Sequence, residues 1–304
     1  FFALSGYLIA RPFFTGDFPG WKPYLGRRAL RILPAYLLVL ALLVLGAFPF
    51  YEFAREELGW RVTYHLLFLQ DYLPADILVV LWSLGVEEKF YLLCPLLLPL
   101  ILRAPLRWQY VALLGVILLG PLARAVSLAV YGPATDYPMF FEVYRSPFHA
   151  CIDGLFLGVL VARLHVAGLL AYLKPRQAQQ LFFLALGGLL ILLASVELLA
   201  YLGPVAAVLR PSVISLLMAL LLLATVAGGM PRGLVRPAMI YTGQISYSLY
   251  LLHLPLLGLA LAMSSHISSS WIVQLAFFVF ISFIAASLSY HLVERPFLSL
   301  RKKL

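Results

Sequence analysis

Charge is the scarcest property of this sequence. Asp, Glu, Lys and Arg together supply 12% of its 304 residues, against about 25% in a soluble domain. A chain so poor in charge cannot clothe its surface in polar groups, which excludes a water-soluble globular domain. The short alternating segments that a membrane β-barrel needs are also missing. Cysteine is nearly absent: Cys94 and Cys151 are the only two, both inside apolar runs. That excludes a disulfide framework and CxxC metal spacing, and each reads as a small buried apolar residue. There is no internal repeat, no low-complexity tract and no polar stretch long enough for a separate soluble domain. No secretory signal pattern opens the chain. Its first residues, Phe1-Phe-Ala-Leu-Ser-Gly-Tyr-Leu-Ile-Ala10, look like the end of a helix, so we expect sequence upstream and treat the chain as a fragment of a longer protein.

What is abundant is long apolar sequence. Hydrophobic residues make up 63% of the chain and the mean hydropathy is +0.97. Continuous Leu-rich runs fall at about 32–50, 78–102, 110–131, 149–167, 181–202, 212–228, 240–263 and 271–292. Each is long enough at ~1.5 Å per residue to cross a hydrocarbon core roughly 30 Å thick. With the stub at 1–10, the expected fold is all-α: a polytopic transmembrane helical bundle of eight full spans and a partial one.

The net charge of +9 does not indicate nucleic acid, because the basic residues sit in short loops between apolar runs and act as topology signals. Arg11, Lys22, Arg27, Arg28 and Arg31 precede the first full span. Arg103 and Arg107, then Arg163, Lys174 and Arg176, then Arg232 and Arg236, then Arg295, Arg301, Lys302 and Lys303 occupy every second loop after it. The intervening loops hold only Arg55, Arg61, Arg145 and Arg210, while Lys89 and Arg124 lie inside spans. The basic side is therefore expected in the cytoplasm, with the C-terminus there. The other face is acidic, with Glu52, Glu56, Glu57, Asp71, Asp76, Asp136 and Glu142. Its largest loop, 51–77, either binds a hydroxyl-rich ligand by stacking and hydrogen bonding or is a solvated cap over the bundle.

Ionisable residues inside a span cost several kcal/mol unless paired or hydrated, which makes each a functional candidate. In Trp82-Ser-Leu-Gly-Val-Glu-Glu-Lys-Phe-Tyr91, Glu87 and Glu88 fall near the middle of the 78–102 run. Ser83 and Glu87, four apart, share a helix face. Glu87, Glu88 and Lys89 point in different directions, so one carboxylate is expected to face a cavity and another to pair with a base. The structural alternative is an ion pair clamping two helices. His149 and Asp153 are also four apart, a spacing that lets a carboxylate orient an imidazole or serves as a helix-end cap. His253, followed by Pro255, lies deep in the 240–263 run and either lines a cavity beside a proline kink or is a satisfied core histidine. Arg124 and Glu197 are candidate partners for buried charges. His65, His165 and His266 fall in loops or near interfaces, with no special role expected. Arg28 and Arg31, three apart, form either a phosphate clamp or a positive-inside anchor.

Taken in order, these segments resemble the acyltransferase-3 family of integral membrane acyltransferases. The stub ending at Ile9 resembles the end of that family's second helix, and Arg28-Ala-Leu-Arg31 its RxxR motif. Trp82 to Tyr91 is similar to its WSLxVExxFY motif, with Gly85 and Lys89 where other residues are frequent. His149 to Gly158 resembles its HxRxDxxxxG stretch, although Cys151 stands where many members carry Arg. Ile245 to Pro255 resembles ISYSLYLxHxP, and Ser289 to Phe297 resembles SYxxxExPF.

The resemblance implies one acyltransferase domain over 1–304, lacking the first helix and part of the second of an intact ten-helix protein. It also implies an essential His, eleven residues after a basic residue, on that absent helix, so the fragment is expected to be inactive as it stands. The implied reaction moves an acyl group, usually acetyl, from cytoplasmic acyl-CoA to a hydroxyl of an extracytoplasmic carbohydrate or glycoside at the inner (plasma) membrane. Acyl-CoA is a co-substrate, and no bound cofactor or metal is implied. Arg28 and Arg31 would hold the acyl-CoA phosphates. Glu87, His149, Asp153 and His253 would orient the base, shuttle protons or bind the acceptor, with Trp82, Ser83, Glu88, Tyr91, Tyr250 and Glu294 in support. The partners expected are the bilayer, acyl-CoA and a glycan acceptor, with no nucleic acid, and nothing sets an oligomeric state. Buried charges around a cavity also suit a transporter of a polar or acylated substrate, which would gain nothing from a phosphate clamp.

Overall fold

The computed structural model of the chain describes residues 1–194, 203–230, 236–268 and 270–301. Its helices are α1 (Phe2–Thr15), α2 (Trp21–Val44), α3 (Leu58–Leu66), α4 (Trp82–Leu102), α5 (Leu106–Tyr131), a single turn α6 (Tyr137–Met139) and α7 (Phe148–Val166). They continue as α8 (Pro175–Ala194), α9 (Pro204–Val226), α10 (Arg236–Ser265), α11 (Trp271–Ser289) and α12 (Arg295–Leu300). Among the described residues there is no strand. Lipid offers no partner to a backbone N–H or C=O, so a chain this apolar must satisfy its backbone within each segment, and helices do so.

The chain is a multi-pass, all-helical membrane protein. Six helices, α5, α7, α8, α9, α10 and α11 with its continuation, are long and apolar enough to cross a bilayer. α2 and α4 have 24 and 21 residues and overlap the two remaining apolar runs. Their length suffices, and what sets them apart is charge: the arginine triplet in α2 and Glu87-Glu88-Lys89 in α4. Two boundaries differ from expectation. α2 starts at Trp21, so Arg27, Arg28 and Arg31 stand on the helix rather than ahead of it. α4 starts at Trp82 after a tight 3₁₀ turn, Val79–Leu81, so Glu87 lies only five residues in, about 7.5 Å along the helix rather than near its middle. Glu197 and the end of the 181–202 run lie outside the described residues.

The chain divides into two compact units. The first comprises residues 1–18, 71–74 and 83–232. At its centre is α7, with 67% of its apolar window buried, against 22%, 17% and 17% for α5, α8 and α9. The outer helices turn Leu114, Leu118, Val126, Leu190 and Ile191 outward, where lipid is their solvent. α1 packs along α7, and the approach is set by two glycines. A Cβ at Gly6 would collide with the Leu155 carbonyl, and one at Gly158 with the Ala3 carbonyl. Small residues let helix backbones meet where no hydrophobic effect drives association.

The second unit comprises residues 19–70, 75–82 and 233–304. α10 packs against α11, and α12 packs against α2. α10 runs unbroken through Pro255. The 51–77 stretch is not a bare loop. It contains α3, and inside this unit the Tyr36 hydroxyl donates to the His65 carbonyl at 2.7 Å, Gln70 to the Leu81 carbonyl at 2.9 Å, and Tyr51 to the Ile77 carbonyl at 3.0 Å. Asp76 is taken by Arg61 and by the Tyr64 hydroxyl.

The α1–α7 contact gives a direct test. Gly158→Ala is expected to lower stability by about 1–3 kcal/mol through overpacking. Gly187→Ala on α8, where a Cβ meets nothing within 4 Å, should be neutral or gain up to ~1 kcal/mol. Thermal unfolding of the two variants in detergent measures both.

Candidate functional site

In the first unit, α4 turns Ser83 and Glu87 to the same buried face, at 3% and 4% exposure, as their spacing requires. Glu87 accepts a hydrogen bond from the Ser5 hydroxyl of α1. Phe90, on the same helix, meets Phe156 of α7 edge to face at 5.7 Å between centroids. Glu88 is half-buried and Tyr91 buried. Lys89 reaches Asp71 of the preceding loop at 2.5 Å and lies 5.6 Å above the Tyr72 ring. Lys89, the one base of the Glu-Glu-Lys triplet, is thus engaged by a loop carboxylate 18 residues earlier. Burial pushes the Asp71 carboxyl above its usual range, and the Lys89 ammonium pulls it back.

His149 and Asp153 part company. Asp153 points inward and accepts from the Arg124 guanidinium at 2.7 Å and from the Ser212 hydroxyl at 2.6 Å. His149, exposed at the start of α7, sets Nδ1 3.0 Å from the Tyr72 hydroxyl. The four-residue spacing is real, but the fully buried Arg124 needs a counter-charge more than an exposed imidazole does, and it takes the carboxylate. Arg124 also donates to the carbonyls of Val208, at 2.8 Å, and Ala150. Room for the Asp153 carboxyl comes from Gly120 of α5, where a Cβ would lie 2.6 Å from its Cγ.

In the second unit, Ser248 of α10 holds Glu294: its backbone N–H and hydroxyl both donate to Oε1, at 3.1 and 2.5 Å. The Tyr250 hydroxyl donates to the Val80 carbonyl at 2.5 Å, next to the half-buried Trp82. His253 places Nδ1 2.8 Å from the Tyr250 carbonyl and 3.2 Å from that of Leu249. Carbonyl oxygens only accept, so Nδ1 carries the proton and Nε2 the lone pair in the neutral ring. The imidazole lines an apolar groove of about 450 Å³ between α10 and α11, with Ser246, Tyr250 and Ser282. Arg28 and Arg31 stand half-buried on one face of α2, Arg28 over the Tyr24 ring at 5.8 Å.

Some partners were out of reach of spacing. Ser5, Tyr72 and Ser212 meet Glu87, His149 and Asp153 from 82, 77 and 59 residues away, and a lone Ser in an apolar run or a lone Tyr in a loop carries no signal. His65 and His165 also do more than expected. His165 Nδ1 lies 2.7 Å from the Tyr7 hydroxyl, and His65 is wholly buried. Both cysteines are buried and unbridged. Among the described residues no group of three His, Cys, Asp or Glu could hold a metal ion.

A sequence profile for an acyltransferase domain matches residues 1–291. The chain belongs to the acyltransferase-3 family. The match runs through both units of this acyltransferase domain. The chain is also similar to the peptidoglycan O-acetyltransferase OatA of Listeria monocytogenes serovar 1/2a, 25% identical over 318 residues. That alignment takes in 97% of the chain and 50% of the relative, so the chain spans about half of OatA's length. No solved structure matches.

His65 supplies a pH test. Burial lowers its pKa from 6.5 to about 4, its Nδ1 lies 2.8 Å from the Arg61 carbonyl, and its Nε2 is buried without a partner. The folded acyltransferase domain therefore holds this ring neutral, whereas the unfolded chain protonates it below pH ~6.5. Stability is full above that pH and falls as pH drops toward 4, by ~3 kcal/mol at the low end. His65→Phe should flatten this window in pH-dependent unfolding, and an unchanged slope would contradict a buried neutral ring.

Proposed function

We propose that this domain transfers an acyl group, acetyl in the first instance, from acyl-CoA at the cytoplasmic face to a hydroxyl of an extracytoplasmic carbohydrate or glycoside. We read residues 1–304 as one acyltransferase domain of the inner (plasma) membrane, with the C-terminus in the cytoplasm. By likeness to OatA, peptidoglycan is the first acceptor to test.

The observation that carries this reading is the buried Glu87, kept on a membrane helix beside Ser83 and the Ser5 hydroxyl. A carboxylate there costs several kcal/mol, and an acyl transfer needs polar groups inside the membrane to handle the hydroxyl proton. In the chemistry, a base takes that proton as the oxygen attacks the thioester carbonyl. The C–O bond forms, the C–S bond breaks, and the departing thiolate takes up a proton. His253, with the Nε2 lone pair free of its own helix, and the exposed His149 suit proton transfer. Glu87 suits orienting or accepting it. Asp153, committed to Arg124 and Ser212, suits positioning α7. Trp82, Glu88, Tyr91, Tyr250 and Glu294 support these groups, and Arg28 and Arg31 form the clamp for the acyl-CoA phosphates.

The test uses inverted membrane vesicles bearing the full-length protein, with peptidoglycan fragments enclosed in the lumen and radiolabelled acetyl-CoA added outside. Label is expected in the glycan. Arg31→Ala should raise half-saturating acetyl-CoA about tenfold, the loss of one charge-assisted contact, with acceptor saturation unchanged. Glu87→Gln should cut turnover ~10²-fold or more. Equal weakening toward both co-substrates would sink the clamp, and uptake of substrate without label transfer would replace the enzyme by a transporter.

A further inference from the structure

The arginines of the second unit outnumber what a two-residue clamp needs. Arg27, Arg28 and Arg31 lie on the first turns of α2, with Arg27 and Arg28 four and three residues before Arg31. All three therefore share one helix face. All are half-buried, and Arg27 Nε is buried with no hydrogen-bond partner. α12 packs against α2, and the residue that follows it is Arg301, also half-buried. Burial lowers the Arg301 pKa, and the positive charges of Arg28, Arg31 and Arg27 lower it further. Glu294 is an acid that acts on Arg31; Ser248 holds its Oε1, and its Oε2 is buried without a hydrogen-bond partner. None of Arg27, Arg31 and Arg301 is in an ion pair among the described residues.

Four guanidiniums drawn together and partly desolvated oppose folding. Like charges on neighbouring helix positions repel, and burial strengthens that repulsion. A topology signal needs only basic residues in the loop, spread through water. It does not need an arginine 270 residues after Arg31 brought within electrostatic reach of the other three. A ligand with several negative charges in a small volume turns that repulsion into binding, and guanidinium forks match phosphate oxygens.

We propose that Arg27 and Arg301, neither of them in the RxxR pair, complete with Arg28 and Arg31 a single four-arginine site for a phosphate-bearing anion. The chemistry is that of a closely spaced phosphate group, as in the nucleotide part of acyl-CoA or the headgroup of an anionic lipid. The first source rests on the function proposed above, and the second does not. In this arrangement the turn that ends at Arg301 lies beside α2, so Arg301 controls how tightly the anion is held.

The experiment places the full-length protein in nanodiscs of phosphatidylcholine alone or with phosphatidylglycerol, and measures the binding of CoA and the enrichment of phosphatidylglycerol without turnover. Arg27→Gln and Arg301→Gln are each compared with Arg107→Gln, an exposed arginine of the first unit. If the nucleotide is the ligand, the two site variants weaken CoA about tenfold, one charge-assisted contact each, while Arg107→Gln leaves it unchanged. If the lipid is the ligand, the site variants lose phosphatidylglycerol enrichment and keep CoA affinity. Arg301→Lys, which keeps the charge, should retain most of the binding and so separates loss of the anion contact from loss of the fold. Wild-type values for both probes in Arg27→Gln and Arg301→Gln would overturn the site. Because neither measurement needs acyl transfer, that failure is distinct from a failure of the proposed reaction, which would appear as no labelled glycan from the wild type.

Discussion

A guanidinium with no exposure at all, Arg124, is the constraint around which the first unit is built. In hydrocarbon an unanswered charge is prohibitive, so its donors must all find acceptors inside the protein. Its hydrogen bonds draw together the Asp153 carboxylate and Ala150 carbonyl of α7 with the Ser212 hydroxyl and Val208 carbonyl of α9. One side chain on α5 thereby fixes the relative placement of two other helices. The glycines follow from the same demand: Gly120 clears space for the carboxyl, and Gly6 and Gly158 let α1 lie close against the helix that carries it. α7, held in this way, presents His149 at its N-terminal end.

The second unit solves the same problem with a neutral group. Ser248 meets one oxygen of the buried Glu294 with two donors, and its hydroxyl lies 2.7 Å from that of Ser289. The Tyr247 hydroxyl donates to the Ile32 carbonyl of α2 at 3.0 Å. α2, α10 and the π-helical Tyr290–Glu294 stretch are thus joined through polar contacts inside an apolar environment. The two donors hold Oε1 of the Glu294 carboxyl in place, while its Oε2 is buried without a hydrogen-bond partner.

Much of the fold was legible because the bilayer allows few solutions. Runs of Leu, Ala and Phe some twenty residues long leave only helices, and among the described residues each apolar run overlaps one. The ends were less legible. Nothing in Trp21-Lys-Pro-Tyr-Leu-Gly marks it as helix, yet α2 starts there, and Leu78 to Leu81 is as apolar as a span but makes only a tight turn. At the candidate site, residues on one helix face were readable: Ser83 with Glu87, and Arg28 with Arg31. Partners across the chain were not. The His149–Asp153 spacing pointed to a pair, but the stronger claim of a buried arginine 29 residues earlier took the carboxylate. The Lys89–Asp71 contact was hidden by the same limit, since periodicity reports which residues share a face and says nothing of what lies opposite.

The central claim is that buried charges answered within the protein hold this bundle in place. A double-mutant cycle on Arg124 and Asp153, read from unfolding of the detergent-solubilised protein, tests it most directly. Arg124→Leu and Asp153→Leu should each destabilise by about 3–5 kcal/mol, because each leaves a buried charge unanswered, and the double variant should recover most of that loss. Single variants within ~0.5 kcal/mol of wild type, or losses that simply add, would contradict the account.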